Sequence, residues 1–193
     1  MRAPFQILAI PYRREEEYRF CVFHRSDIDQ WQFVAGGGED AETPLEAAKR
    51  EIKEETGVTA QSVLPLTSMA YVPANVIAEK HRQLWPRDTY VLPEYAFAFA
   101  CDGDIRLSQE HTGYEWLPYD EAMERLTWDS NRTALYELNC RLRAEYNNTK
   151  TQLKPYTEKQ KFDGERETLE ASAASKPLRQ GPLGPWTHPG EQA

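Results

Sequence analysis

Residues 36–58 read GGGEDAETPLEAAKREIKEETGV, and the acidic residues of this stretch recur at helical spacing. Glu51 and Glu55 are one turn apart and Glu54 is a near neighbour, so a helix would bring three carboxylates together. Like charges one turn apart destabilise an isolated helix by about 0.2–0.5 kcal/mol per pair, so their gathering requires compensation. Two interpretations follow: a cation-binding face, or a solvated helix surface neutralised by interleaved basic residues.

Capping residues predict where this helix begins and ends. Thr43 is a good N-cap, Pro44 suits the first helical position, and Glu46 completes a capping box. Gly57 supplies the left-handed residue that ends a helix. An apolar stripe predicts that the helix docks on a sheet, and it consists of Leu45, Ala48 and Ile52.

Three glycines separate the predicted helix from a short aromatic and β-branched run. Residues 31–34 read WQFV, which is typical of a strand, and Gly36, Gly37 and Gly38 follow almost at once. We expect these glycines to form a turn whose carbonyl oxygens add ligands to a cation held by the glutamates. Mg²⁺ prefers oxygen ligands and commonly shares them with substrate phosphates, so the stretch indicates phosphate chemistry.

The spacing of this stretch resembles the Nudix box, in which a glycine and a glutamate precede Arg-Glu-aliphatic-x-Glu-Glu-x-Gly-aliphatic. The fixed positions are filled by Gly36, Glu42, Arg50, Glu51, Ile52, Glu54, Glu55, Gly57 and Val58. The resemblance implies an α+β fold with a mixed β-sheet sandwiched between α-helices and a loop-helix-loop catalytic motif. It also implies a pyrophosphohydrolase that uses Mg²⁺, with Mn²⁺ as a possible substitute.

Outlying motifs resemble one branch of this family, the dATP pyrophosphohydrolases and dihydroneopterin triphosphate pyrophosphatases. They are Trp31-Gln32, Pro93-Glu94-Tyr95, Ser108-x-Glu110-His111 with Trp116, and Trp128-x-Ser130-Asn131-Arg132. This likeness implies attack of water on a phosphorus of a di- or triphosphate, releasing pyrophosphate and the monophosphate of a nucleotide or pterin.

Site residues carried over from the resemblance fall into three groups. The metal ligands are expected to be Glu51, Glu54, Glu55, Glu110 and a carbonyl of Ala35 or Gly36, where many members have proline in place of Ala35. The catalytic residues are expected to be Glu51 or Glu54 as the proton acceptor, with Arg50 orienting the carboxylates. Substrate contacts are expected from His24, Arg25, Trp31, Gly37 and His111.

Two other functions stay open. One is hydrolysis of a nucleoside diphosphate sugar such as ADP-ribose, because such relatives often carry a proline downstream of the box and Pro73 lies in that neighbourhood. The other is a Nudix-like module that senses a nucleotide without cleaving it. Modules of that kind often lack box glutamates, and none is missing here.

Composition restricts the partners. The 193 residues carry a formal net charge of -8 with a pI near 5.1, which argues against a nucleic-acid polymer and leaves a small phosphate ester as substrate. Cys21, Cys101 and Cys140 are widely separated, so buried free thiols are expected. No targeting or membrane-spanning segment is recognisable, so a cytoplasmic location is expected, and the oligomeric state stays open.

The chain order predicts one domain followed by a tail. Strands are expected at residues 5–11, 18–24, 63–72, 90–101 and 114–117, with helices after the box at 118–126 and 130–146. Residues 1–146 would form the domain. Residues 147–193 are polar and rich in glycine and proline, so we expect a flexible tail.

Overall fold

The computed structural model describes residues 1–83 and 85–152. Residues Met1–Asn147 form one compact unit. The predicted tail lies almost wholly outside the described residues, so its flexibility stays a prediction.

Strands and helices of the described residues follow the predicted α+β order. The strands are β1 (Arg2–Arg14), β2 (Tyr18–Arg25), β3 (Trp31–Gln32), β4 (Val34–Glu39), β5 (Leu64–Pro73), β6 (Val91–Ala100) and β7 (His111–Leu117). The helices are α1 (Pro44–Thr56), α2 (Glu79–Arg82), α3 (Tyr119–Arg125) and α4 (Asp129–Gln152), and Ala74–Val76 forms a single 3₁₀ turn. Helix α2 was not predicted, and α4 ends six residues later than expected.

The sheet is mixed, with the strand order β3-β2-β1-β6-β5, while β4 also pairs with β1 and β7 with β2. Strand β1 pairs with three strands. On one side its first part pairs with β4 and its last part, from Tyr12, with β2, and β6 also pairs with it. The β1–β6 pair is parallel and the other pairs are antiparallel.

Helix α1 has the predicted caps. The Thr43 backbone donates to the Glu46 carboxylate at 2.8 Å, and the Glu46 backbone donates to the Thr43 hydroxyl at 3.3 Å. Gly57 ends the helix with φ 72°. The docking stripe was partly wrong: Ala48 and Ile52 are buried, but Leu45 is exposed, and Ala47 is buried instead.

The prediction that Gly36, Gly37 and Gly38 form a turn is wrong, because they lie inside β4. Gly36 pairs with Ile7 and Gly37 with Gln6 of β1. A Cβ atom at Gly36 would overlap the Glu51 carboxylate, and one at Gly37 would overlap the Arg2 guanidinium. Glycine is therefore needed for close approach to the strand rather than for a special backbone conformation.

Two apolar clusters cover the two faces of the sheet. One packs α3 and α4 on the sheet and contains Leu135, Leu138 and Leu142, the stripe that predicted α4. The other contains Ala47, Ala48 and Ile52 of α1. Burial of one such Leu or Ile side chain contributes about 1.5–3 kcal/mol, so both helices are held by packing. The predicted sandwich is confirmed.

The cysteines differ in exposure. Cys21 and Cys101 are buried, as expected, but Cys140, on α4, is exposed, so that prediction was wrong. Among the described residues, no helix combines the length and the apolar character needed to cross a bilayer.

Candidate active site

A cavity of about 840 Å³ opens beside the start of β4 and the inner side of α1. Its polar lining includes Arg2, Arg25, Gln32, Glu51, Glu94, Glu110, His111 and Ser130, together with the backbone of Ala35 and Gly36. Box residues and residues from distant strands therefore share one space.

Arg50 contacts several other residues of the Nudix box. Its guanidinium donates to both carboxylate oxygens of Glu42 at 2.9 Å and to the Gly37 carbonyl at 2.8 Å. It also lies 2.9 Å from Glu51 and 3.1 Å from Glu54. The helix thereby keeps its acidic residues at fixed positions, with Glu42 as the arginine's main partner, and this contact raises the arginine pKa.

Glu55 is a buried carboxylate that its neighbours compensate only weakly. Its exposed fraction is 2%, and neither carboxylate oxygen has a hydrogen-bond partner of normal geometry among the described residues, although the Ala35 backbone approaches it. Burial raises its pKa well above the ordinary value, and the neighbouring charges of Glu51 and Glu110 raise it further. A buried polar group in this state is costly unless a ligand binds it.

Glu51 lies against the glycine strand at the cavity wall. Burial raises its pKa, and the contact with Arg50 opposes this shift. Glu54 points outward, with a side-chain exposure of 57%, so the three glutamates do not share one face as predicted. Glu51 and Glu55, separated by four residues, turn inward together.

The donor chemistry fits a hard divalent cation. No group of three acidic, His or Cys side chains in the described part of the chain is gathered tightly enough to enclose a metal. The unpaired oxygens of Glu55, the Glu51 carboxylate and the nearby strand carbonyls are nevertheless the oxygen ligands that Mg²⁺ prefers.

His111 and Glu110 follow one another at the cavity wall. The His111 Nε2 atom is 3.7 Å from a Glu55 oxygen, and its Nδ1 atom has no partner among the described residues. Burial, assisted by the charge of Arg25, lowers the His111 pKa to about 4, so the ring is neutral at pH 7. Glu110 is exposed and lines the cavity, where it can still reach a bound ligand.

The predicted substrate contacts divide into two groups. Arg25 lines the cavity and is oriented by Asp27, which accepts from it at 2.6 and 2.7 Å. His24 and Trp31 do not line it. His24 bonds to Thr112 and Asp29 at 2.7 and 2.8 Å, and Trp31 stacks under Arg125 at 4.7 Å. The geometry gives no support to substrate contacts from His24 and Trp31. Gly37 does not line the cavity either, and its carbonyl accepts from Arg50.

Sequence reasoning did not assign several polar residues of the cavity to the site, among them Arg2, Gln32 and Glu94. The Arg2 guanidinium lies against Gly37, donates to Gln6 at 2.6 Å and interacts with the charge of Glu51. Glu94 offered a signal, because it is the one charged residue in the apolar run 90–101. Arg2 offered none, since its place depends on pairing with a strand more than thirty residues away.

Comparison with known proteins gives a consistent result. The model of the NUDIX domain matches residues 5–138. The bis(5'-nucleosyl)-tetraphosphatase of Rattus norvegicus is 32% identical over 66% of this chain and 83% of its own length. The dihydroneopterin triphosphate diphosphatase of Escherichia coli is 28% identical over 69% of this chain and 91% of its own. An octanoyltransferase of Myxococcus xanthus is 36% identical over 53% of this chain, which spans only 26% of that longer protein.

Solved structures of Nudix proteins are also similar to this chain. A Listeria monocytogenes protein assigned to the NUDIX hydrolases is 44% identical, with a TM-score of 0.65 over 74% of this chain and 97% of that one. The E. coli dihydroneopterin triphosphate pyrophosphohydrolase is 26% identical, with a TM-score of 0.59 over 72% of this chain and 97% of its own.

Proposed function

Since the chain belongs to the Nudix family, we propose that it is a Mg²⁺-dependent hydrolase of a nucleoside triphosphate-like substrate, a nucleotide or a pterin triphosphate. The reaction would release pyrophosphate and the monophosphate. The observation that carries the proposal is Glu55, a buried carboxylate with two unpaired oxygens, one turn of α1 from Glu51, which lines a large cavity.

The acidic residues near α1 and the arginines of the cavity each have a role in this reaction. Glu51, Glu55 and Glu110 would hold the metal with a carbonyl of Ala35 or Gly36. Mg²⁺, when bound, would neutralise the charge of phosphate oxygens and lower the pKa of a bound water. Arg50 fixes the carboxylates that it contacts.

Arg2 and Arg25 bring guanidinium groups to the cavity, where they can bind phosphate oxygens. Glu51 or Glu54 accepts the proton of the attacking water. Glu51 is favoured because it lines the cavity and Glu54 does not. His111 is neutral at pH 7, so it would donate or accept a hydrogen bond and add no positive charge.

The test is a panel of dATP, dGTP, dihydroneopterin triphosphate and ADP-ribose with Mg²⁺ or Mn²⁺. At least one triphosphate should release pyrophosphate and its monophosphate, and EDTA should abolish the reaction. Binding without turnover on the whole panel would favour a sensing module, and cleavage of ADP-ribose alone would favour the diphosphate-sugar reaction.

A second candidate is asymmetrical cleavage of a dinucleoside tetraphosphate, favoured by the 32% identical tetraphosphatase of the rat. Diadenosine tetraphosphate in the same panel separates the two functions. Release of ATP and AMP at a higher kcat/KM than any triphosphate would support the second function and displace the first.

The metal site is tested with Glu55→Gln, which keeps the shape and removes the buried charge. Turnover should fall by orders of magnitude, and the rise in Tm that Mg²⁺ causes in the wild type should disappear. Glu124→Gln, the same change at an exposed position of α3, is the control. Glu110→Gln should shift the Mg²⁺ titration to higher concentration, and an unchanged titration would remove Glu110 from the metal site.

A further inference from the structure

Glu94 is a buried acid in the cavity that the hydrolytic chemistry does not use. Its side chain is on β6, its exposed fraction is 8%, and it lines the cavity. Its Oε1 atom has no hydrogen-bond partner among the described residues. The hydroxyl of Ser130 interacts with the carboxyl group, and the Asn131 amide approaches that hydroxyl at 3.4 Å, which leaves its proton free for Glu94.

A structural role does not explain this acid. The strand that carries it is otherwise apolar, and an apolar side chain at the same place would be buried without loss of hydration. Burial raises the Glu94 pKa, and the hydrogen bond from Ser130 offsets only part of this shift, so the charge is not fully compensated. A donor from a bound molecule would supply that compensation.

The register of the sheet fixes the separation between Glu94 and the glycine strand of the box. Gly37, whose carbonyl binds Arg50, pairs with Gln6, and Gln6 in turn pairs with Glu94. Two strand spacings separate Gly37 from Glu94, which is about 10 Å. A sugar or a pterin side chain, together with the ring that it carries, covers such a length between the innermost phosphate and the hydrogen-bonding edge of the ring.

The chemistry of Glu94 selects among rings. A carboxylate with a free oxygen accepts hydrogen bonds, and it matches a ring that presents two neighbouring donors. Guanine and pterin carry such a pair, a ring N–H beside an exocyclic amino group. Adenine presents a donor beside an acceptor, which a carboxylate cannot satisfy. Gln32, also 8% exposed and at the cavity wall, adds an amide that can bond to a neighbouring ring atom.

We propose that Glu94 is the residue that selects the ring of the substrate, and that it binds the ring N–H and the amino group of a 2-amino-4-oxopyrimidine edge, as found in guanine and pterin. This inference rests on the proposed function, and it narrows the substrate class to guanine or pterin triphosphates.

The test compares binding and turnover of three purines. Wild-type protein should bind dGMP more tightly than dIMP, which lacks the amino group, and more tightly than dAMP, with the same order in kcat/KM for the triphosphates. Each difference should be about tenfold to a hundredfold, the discrimination that a bidentate contact gives. Dihydroneopterin triphosphate should be cleaved with dGTP-like efficiency.

The Glu94→Gln variant should reverse the preference, because an amide offers one acceptor and one donor to the adenine edge. Glu124→Gln should keep the wild-type order, and thermal melts of both variants check that the fold survives. A wild type that prefers adenine, or an unchanged order in Glu94→Gln, would overturn the assignment while hydrolysis continued. If no triphosphate is cleaved but dGMP still binds through Glu94, the proposed function fails and the ring assignment survives.

Discussion

The close approach of the Glu51 carboxylate to Gly36 leads to a sharp prediction for Gly36→Ala. The added methyl group would lie within 3.0 Å of three atoms of that carboxylate, a distance that Cβ atoms essentially never show. Normal contact is about 3.5–4.0 Å, so the carboxylate must retreat by at least about 1 Å. Arg50 holds the carboxylate at 2.9 Å, so this contact would be disturbed too.

We expect turnover to fall by about a hundredfold, because a displacement of 1 Å in a catalytic group has an effect of this size. The fold should survive. Gly36 lies in regular strand, and a local overpacking costs about 1–3 kcal/mol, so Tm should fall by no more than about 10 °C.

The assay is pyrophosphate release under saturating Mg²⁺, with a thermal melt on the same samples. Gly113→Ala is the matched control, since a Cβ at Gly113 in β7 meets nothing within 4 Å. Turnover of Gly36→Ala close to that of the wild type would refute the view that Glu51 acts from the position described. Unfolding of the variant at room temperature would refute the expected separation of activity from stability.

Two further predictions concern the buried His111 and the different exposure of the three cysteines. The His111 pKa is lowered from 6.5 to about 4, so between these pH values the unfolded chain binds a proton that the folded chain does not. The free energy of unfolding should therefore decrease as pH falls through that window. Urea unfolding in EDTA at pH 7 and pH 5 measures this decrease, which should be smaller in His111→Gln than in the wild type. An equal decrease in both proteins would contradict the burial argument. Cys140 is exposed, whereas Cys21 and Cys101 are buried and burial raises the pKa of their thiols. A thiol reagent should therefore label one cysteine quickly in the native protein, and Cys140→Ser should remove this reaction. Fast labelling of that variant would contradict the burial of Cys21 and Cys101.

Local chemistry in the sequence predicted the elements that depend on neighbouring residues. The Thr43–Glu46 capping box, the end at Gly57 and the apolar stripe of α4 need only residues a few positions apart. The glutamates of α1 were recognised for the same reason.

Features that depend on strand pairing could not be predicted. The glycines were expected in a turn because Gly favours turns in general, and only the pairing of β4 with β1 shows that they make room for Glu51 and Arg2. The parallel pairing of β6 with β1 places Glu94 at the cavity, and the sequence alone does not show this pairing. The exposure of Glu54 required the orientation of α1 on the sheet.

The register of β6 also has a consequence for how such an enzyme changes its selectivity. Side chains of a strand alternate between faces, so a shift by one residue would turn Glu94 away from the cavity and replace it with Pro93 or Tyr95. An insertion or a deletion in this strand would therefore move Glu94 out of the cavity and would not give the protein a new substrate. Single replacements at Glu94, or at Ala70 opposite it on β5, leave the glutamates of α1 untouched. If Glu94 selects the ring as proposed, selectivity and hydrolysis depend on different elements, β6 and α1, and can be changed separately.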